Sequence, residues 1–542
     1  MSMRKTTNRE GLLPELASLP RRERTEIAYF GGLSAMGKGC LSEMSNLSVR
    51  GLGALATRSP RGAFTFQRGG GLPRGMAFFD GSLFYARGGF LYATADGESA
   101  RQIGSVSGEK KIFFVFNDCL YIYPDKLYVK RGEDRLYTLE LDSGVVESAE
   151  FSGSVITLPS GMTWSGLGFA AGDGLRVLNA DDDVPAPEGY YHIISVRGRS
   201  ATVKEYLSTS LTSKARFLRE VPDLDAVCVS GSRVYGMQGK HVYVSAEGSA
   251  TDFFSGKGSD GRGAVILSAD GEGNLTACAP WQGYVIFFKS DRIYKLLGNR
   301  ADSFVLQERA AVGIPKALAG TLCEVGGDLY YCSGSGVFRY RGQDPEWVAP
   351  LTGGAATEGC GGSDGQAYYL AIAQAGTGWR QYVYLPLRDE WYAEDDLHTV
   401  CMAQREGFLY LVGEGGNVWM TSSDGRKTGC RFTEEDAGEL FEATAVLPPD
   451  YHLQPNVCRP GGLYIRATAA EGASMEVLAD YADSYAGKDA DGTAPVSLGR
   501  FEGGMTDRLL RMRMPADPCD GVKVILRMKG DWVIHAVIRE YE

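Results

Sequence analysis

"PWQGYVIFFKSDRIYKLLG", residues 280–298, carries an apolar and aromatic run from Tyr284 to Phe288, a polar break at Lys289-Ser290-Asp291, and a second apolar stretch around Tyr294. Aromatic and β-branched residues suit a pleated surface, so this reads as strand, turn, strand. A lone hairpin and one copy of a repeat would look the same here. The rest of the chain decides between them.

Copies recur. "RGMAFFDGSLFYARGGFLYAT" (74–94) turns at Asp80-Gly81, and "FVFNDCLYIYPDKLYVKRG" (114–132) turns at Asn117-Asp118. "VCVSGSRVYGMQGKHVYVSAEG" (227–248), "EVGGDLYYCSGSGVFRYRG" (324–342) and "QREGFLYLVGEGGNVWMTS" (404–422) follow the same scheme, and "GSDGQAYYLAIAQAGTGWRQYVYL" (362–385) is a looser copy. Their turns are built on dipeptides that tolerate positive φ. The matched central positions are Leu83, Leu120, Val234, Val285, Leu329, Tyr368 and Leu409, separated by 37, 114, 51, 44, 39 and 41 residues. A period of about 40–50 residues is that of a four-stranded propeller blade. The spacing predicts an all-β chain whose main body is a β-propeller of about seven blades, six to eight being compatible, over 61–140 and 216–435. A sandwich or solenoid with regular hairpins is the plainer alternative, and the even spacing argues against it. The named repeat signatures are missing: no WD dipeptide per blade and no kelch pattern.

The 114-residue gap predicts an insertion, a small β-barrel over 141–215. Within it "LRVL", "YYHIISV" and "ATVKEYL" read as strands separated by turns. Residues 440–542 alternate apolar and polar with period two, as in "GGLYIRATA" and "WVIHAVIREYE", which predicts a separate C-terminal β-sandwich. Residues 1–60 are read as an N-terminal arm with a ring-closing strand.

Composition narrows function. The 542 residues include 72 Gly, 28 Tyr and 23 Phe, and the formal charge is −11. Proteins that grip nucleic acid by its phosphates are normally basic, so sequence-specific binding is not expected. The 11 Cys contain no CxxC pair and read as reduced, buried thiols of a chain that folds in a cytoplasm. No apolar run is long enough for a membrane helix, and the N-terminus lacks the apolar core of a signal peptide.

No motif carries catalysis. Asp181-Asp182-Asp183 lacks the calcium-loop spacing and its distal Glu, so a solvated loop is the better reading. Glu394-Asp395-Asp396 beside Trp391 resembles an acid pair next to a sugar-stacking ring, but adjacent carboxylates in a turn cannot flank a glycosidic bond. "GRGAVILSADGEGN" (261–274) has no Lys-Ser/Thr and is no phosphate loop. His192, His241 and His535 sit in apolar strand patterns and read as satisfied histidines. No metal site, no cofactor and no enzyme activity are expected.

The order of these elements resembles a known family. "VPDLDAVCVSGSRVYGMQGKHVYVSAEGSATDFF" (221–254), with an arginine strand, a Ser-terminated strand and an Asp-Phe turn, is followed by "APWQGYVIFFKSDRIYKLLGN" (279–299) with Phe287-Phe288-Lys289 at its centre. "GDLYYCSGSGVFRYRGQDP" (327–345) and "YVYLPLRDEWYAED" (382–395), with Trp391 and Glu394-Asp395, come next. Near the start, Leu41 to Leu47 leads into Arg58-Ser59-Pro60-Arg61. This series resembles the tail accessory, or stabilisation, proteins of bacteriophages, akin to the nozzle (tail tubular B) proteins of short-tailed phages. Residues 223–226 and the Gly-rich 354–365 depart from the pattern.

The resemblance implies a structural virion protein assembled in the bacterial cytoplasm. It implies a ring of copies, often a hexamer, that docks connector or adaptor and tail-fibre proteins and extends the DNA ejection channel. DNA would be passing cargo, and the acidic charge suits a wall to which it does not stick. Arg21, Arg22 and Arg24 of the arm and Asp181, Asp182 and Asp183 of the insertion are the candidate contacts to subunits or partners. The arm could instead merely close the propeller. A host-surface carbohydrate-binding or glycan-cleaving propeller is the alternative function.

Overall fold

The computed structural model describes every residue except 1–22, 35–39, 51–52, 65–69, 208–209, 350–353, 422–432, 435–441, 450–458, 483–494, 515–518, 520 and 542. The chain forms two compact units, Ser59–Glu439 and the paired segments Met1–Arg58 and Leu440–Glu542.

Among the described residues the larger unit contains, besides a barrel, seven antiparallel sheets, one per blade. Blades 1 and 2 start at the strands Pro73–Phe79 and Ile112–Phe116. Blades 3, 4 and 5 start at Ala226–Ser230, Ala277–Trp281 and Cys323–Val325. Blades 6 and 7 start at Ala356–Ser363 and Thr399–Arg405. The seven positions matched by the repeat all fall on the second strand of a blade, and each is at most 3% exposed. The period seen in the sequence is therefore the period of the blades.

Local chemistry sets the first hairpin of most blades. Asp80-Gly81, Asn117-Asp118, Gln282-Gly283, Gly326-Gly327 and Glu406-Gly407 each have both φ values positive, with Gly in the second place of every pair but Asn117-Asp118. Two consecutive positive φ values give the turn whose twist matches that of the flanking strands. The Gly-rich stretch that departs from the family pattern has a packing reason. The innermost strand of blade 6 lies against a 3-10 helix, Lys316–Thr321, so closely that a Cβ on Gly361 would fall 2.6 Å from the Thr321 carbonyl oxygen.

Ring closure comes from an unexpected place. The fourth strand of blade 7 is only Gly62–Ala63, paired with Met420 and Trp419, and Phe64 N–H donates to Val418 O at 2.9 Å. It lies just past the 1–60 arm expected to supply it. The described strands of that arm, from Glu23–Ile27 to Ala54–Thr57, belong to the smaller unit instead. Those strands have apolar partners there, whereas closure needs only backbone hydrogen bonds.

Between blades 2 and 3 stands a closed six-stranded barrel running from Leu141 to Arg219. Its core gathers Phe151, Trp164, Leu175, Val177, Ile193 and Phe217. The described residues of the smaller unit form two sheets. Trp532 on one donates from Nε1 to Ser474 O of the other at 3.0 Å, tying them face to face. Among the described residues no helix is long and apolar enough to cross a membrane.

Candidate functional site

The charged residues that carry the family-like pattern are buried and internally paired. Arg61 donates from Nη1 to Asp395 Oδ2 at 2.6 Å and from Nη2 to Glu394 Oε2 at 2.7 Å, with the guanidinium side chain 7% exposed. Gln381 Nε2 donates to the same Glu394 oxygen at 2.7 Å. Burial works against the guanidinium charge, but the two carboxylates outweigh it and hold Arg61 well above its ordinary pKa. Glu394 and Asp395 are thus engaged in fixing the segment that closes the ring. Trp391 stacks on Tyr384 at 4.7 Å.

Arg233, on the second strand of blade 3, donates to Ser245 O (2.6 Å), Gly263 O (2.7 Å) and Gly261 O (3.1 Å). Lys289 donates from Nζ to Asp270 O at 2.7 Å and reaches Ala269 O at 3.3 Å. Burial lowers the pKa of both groups. Each cation gathers the carbonyls of a turn that has no sheet partner, which is how a buried backbone acceptor is satisfied outside a ladder.

The barrel is seated on blade 3 through Asp252, Asp173 and Lys204. Asp252 accepts Phe254 N–H (3.3 Å) and Ser255 N–H (3.1 Å) on one oxygen, and Ser255 Oγ (2.6 Å) and His192 Nδ1 (2.7 Å) on the other. Asp173 accepts Arg219 Nη1 at 2.7 Å and Thr251 Oγ1 at 3.0 Å. Lys204 pairs with Asp260 at 2.6 Å. Glu205 accepts His192 N–H at 2.9 Å, and burial pushes its carboxyl up. Ser255, Asp252 and His192 are the residue types of a hydrolase triad in the wrong order. The carboxylate sits between hydroxyl and imidazole, so the hydroxyl proton is committed to Asp252 and not offered to a base.

The residues picked from sequence fall in three places. Arg21 and Arg22 lie outside the described residues. Arg24 pairs with Glu540 at 3.1 Å within the smaller unit, on a strand that belongs to that unit's sheet and does not close the propeller. Asp181 shapes its own turn, accepting Asp183 N–H at 3.0 Å and Val184 N–H at 3.3 Å, bonds that lower its pKa. Asp182 and Asp183 are exposed beside it. Among the described residues, no group of three or more His, Cys, Asp or Glu could hold a metal ion.

Sequence reading missed the propeller axis. A cavity of about 600 Å³ opens there, walled by the first residues of the inner strands of blades 2 to 5 and by the 3-10 helix. A smaller cavity of about 140 Å³ shares Lys110 with it and is bounded by Arg74, Glu358, Trp379 and His398. One signal was available. Cys228, Cys278, Cys323, Cys360 and Cys401 stand on the innermost strands of blades 3 to 7, at the spacing of the repeat itself. A side-chain hydrogen bond with the free thiol of Cys278, together with burial, raises the Cys228 thiol well above its usual pKa. Burial likewise raises Cys323 to about 12 and Cys360 to about 11.

Blades of four antiparallel strands closed in a ring, with an inserted barrel, place the chain among the β-propellers. No protein-family model matches it, and no curated protein does. Solved propellers do. BamB from Moraxella catarrhalis is similar at 10% identity and TM-score 0.29, over 70% of this chain and 92% of that one. A catalytically inactive virginiamycin B lyase from Staphylococcus aureus is similar at 7% identity and TM-score 0.33, over 66% of this chain and 97% of that one. Likeness at this level carries no function, and the propeller assignment stands on the blades themselves.

Proposed function

We propose that this chain is a structural subunit of a phage tail, a ring-forming nozzle or connector-adaptor component that extends the DNA ejection channel and docks neighbouring tail proteins or fibres. The observation that carries the reading is the order of the family-like elements. They occupy consecutive blades, 3 to 6, in the sequence in which the resemblance presents them. Their charges are spent on holding turns and closing the ring, through Arg61, Arg233, Asp252 and Lys289, which suits a rigid building block. The net charge of −11 suits a wall that DNA slides past.

Mass photometry of the purified protein, followed by negative-stain imaging with connector protein added, tests it. Rings of about six to twelve copies, alone or on the connector, are expected. A strict 58.6 kDa monomer that ignores connector and binds host glycans would sink the proposal and favour a host-recognition propeller.

A further inference from the structure

We propose that the axial cavity of the propeller binds a small organic anion, with an acidic head and a compact apolar body. At about 600 Å³ the cavity is of ligand size, since small-molecule sites span about 300–1,000 Å³. Its wall is short and apolar, with Leu275, Ala277, Pro280, Ala317 and Leu322 contributing. Its rim carries two exposed ammonium groups, Lys110 and Lys316. Neither has a carboxylate partner among the described residues, whereas the adjacent Lys111 is fully buried and paired with Asp125. The Lys110 ammonium stands 3.3 Å from where a Cβ on Gly320 would fall, so the missing side chain there makes its room.

The same Lys110 borders the smaller cavity beside Arg74 and Glu358, and Arg74 too forms no ion pair among the described residues. Two carboxylates share the main rim and are turned toward backbone N–H groups, Asp225 to Gly239 at 3.3 Å and Glu324 to Gly327 at 2.8 Å, and neither forms an ion pair with Lys110 or Lys316. The cations have no such internal acceptor. Unpaired ammonium groups next to an apolar wall recognise an anionic head joined to an apolar body, because the head gains charge-assisted hydrogen bonds and the body leaves water.

Calorimetric titration with phenylphosphonate and with benzoate tests this, with iodoacetamide labelling of Cys278 on the cavity wall as a second readout. Saturable binding of at least one anion and protection of Cys278 are expected. Lys110→Gln and Lys316→Gln should each weaken binding about tenfold, the loss expected for one charged hydrogen bond. Ala317→Phe, which fills the cavity from an exposed position, should abolish binding while Tm stays unchanged. Inorganic phosphate and benzyl alcohol, head and body alone, should bind at least about tenfold more weakly. The proposal is overturned if neither anion binds at about 10 mM. It is also overturned if the lysine variants bind as tightly as the parent, or if benzyl alcohol matches the anions.

Discussion

Replacing Arg61 by alanine should loosen the closure of the ring specifically. Glu394 and Asp395 are 14% and 18% exposed, so without the guanidinium two largely buried, adjacent carboxylates lose the cation that balances their charge. Breaking a buried pair by removing one partner costs about 3–5 kcal/mol. The cost falls on the segment that delivers Gly62–Ala63 to blade 7, where few ladder bonds resist opening. Local opening is read by native-state hydrogen exchange, and each 1.4 kcal/mol is a factor of ten. The Phe64 amide, which donates to Val418 O, should therefore exchange about two to three and a half orders of magnitude faster. Amides of blade 4, with no link to this pair, should hardly change. Combining Arg61→Met with Glu394→Gln and Asp395→Asn should restore most of the protection, because the stranded charges are gone. An acceleration below about tenfold, or a triple variant as labile as the single one, would refute the electrostatic account of closure.

Three further outcomes follow from the same structure. Asp252→Asn should weaken the seat of the barrel by about 1.5–3 kcal/mol, seen as faster proteolytic release of the segment around 141–219, because the one bond that crosses to the barrel, from His192 Nδ1, ends on a carboxylate fixed in place by Phe254 and Ser255. Burial raises the Glu205 pKa above its ordinary 4.5, so the folded state binds the proton more tightly than the unfolded one. Stability should then fall as pH rises from 4.5 through the raised value, and Glu205→Gln, which still accepts His192 N–H, should flatten that slope in denaturant titrations. Cys332 and Cys360, with thiols raised to about 12 and about 11, should react with iodoacetamide at pH 8 at least about a hundredfold more slowly in the native protein than after unfolding, as mass spectrometry would show.

Much of this fold is written locally. A blade needs alternating residues and two-residue turns with positive φ, and both are properties of short segments, so Leu83 to Leu409 could be aligned without coordinates. The barrel strands "LRVL" and "YYHIISV" were legible for the same reason, and the structure finds them at Gly174–Asn179 and Gly189–Arg197. Tertiary structure alone decided the rest. A closing strand of Gly and Ala has no hydrophobic period to read, and Arg61 finds Glu394 at a separation of 333 residues. Adjacency in a turn rules out Glu394 and Asp395 as a glycosidase pair from sequence, but only the fold shows that they hold Arg61. The axial cavity is assembled from the ends of strands on four blades and a short helix, so no single window of sequence contains it. Local turns and alternation fix what each segment becomes, while the partners of buried charges and the shape of the axis depend on how the ring closes.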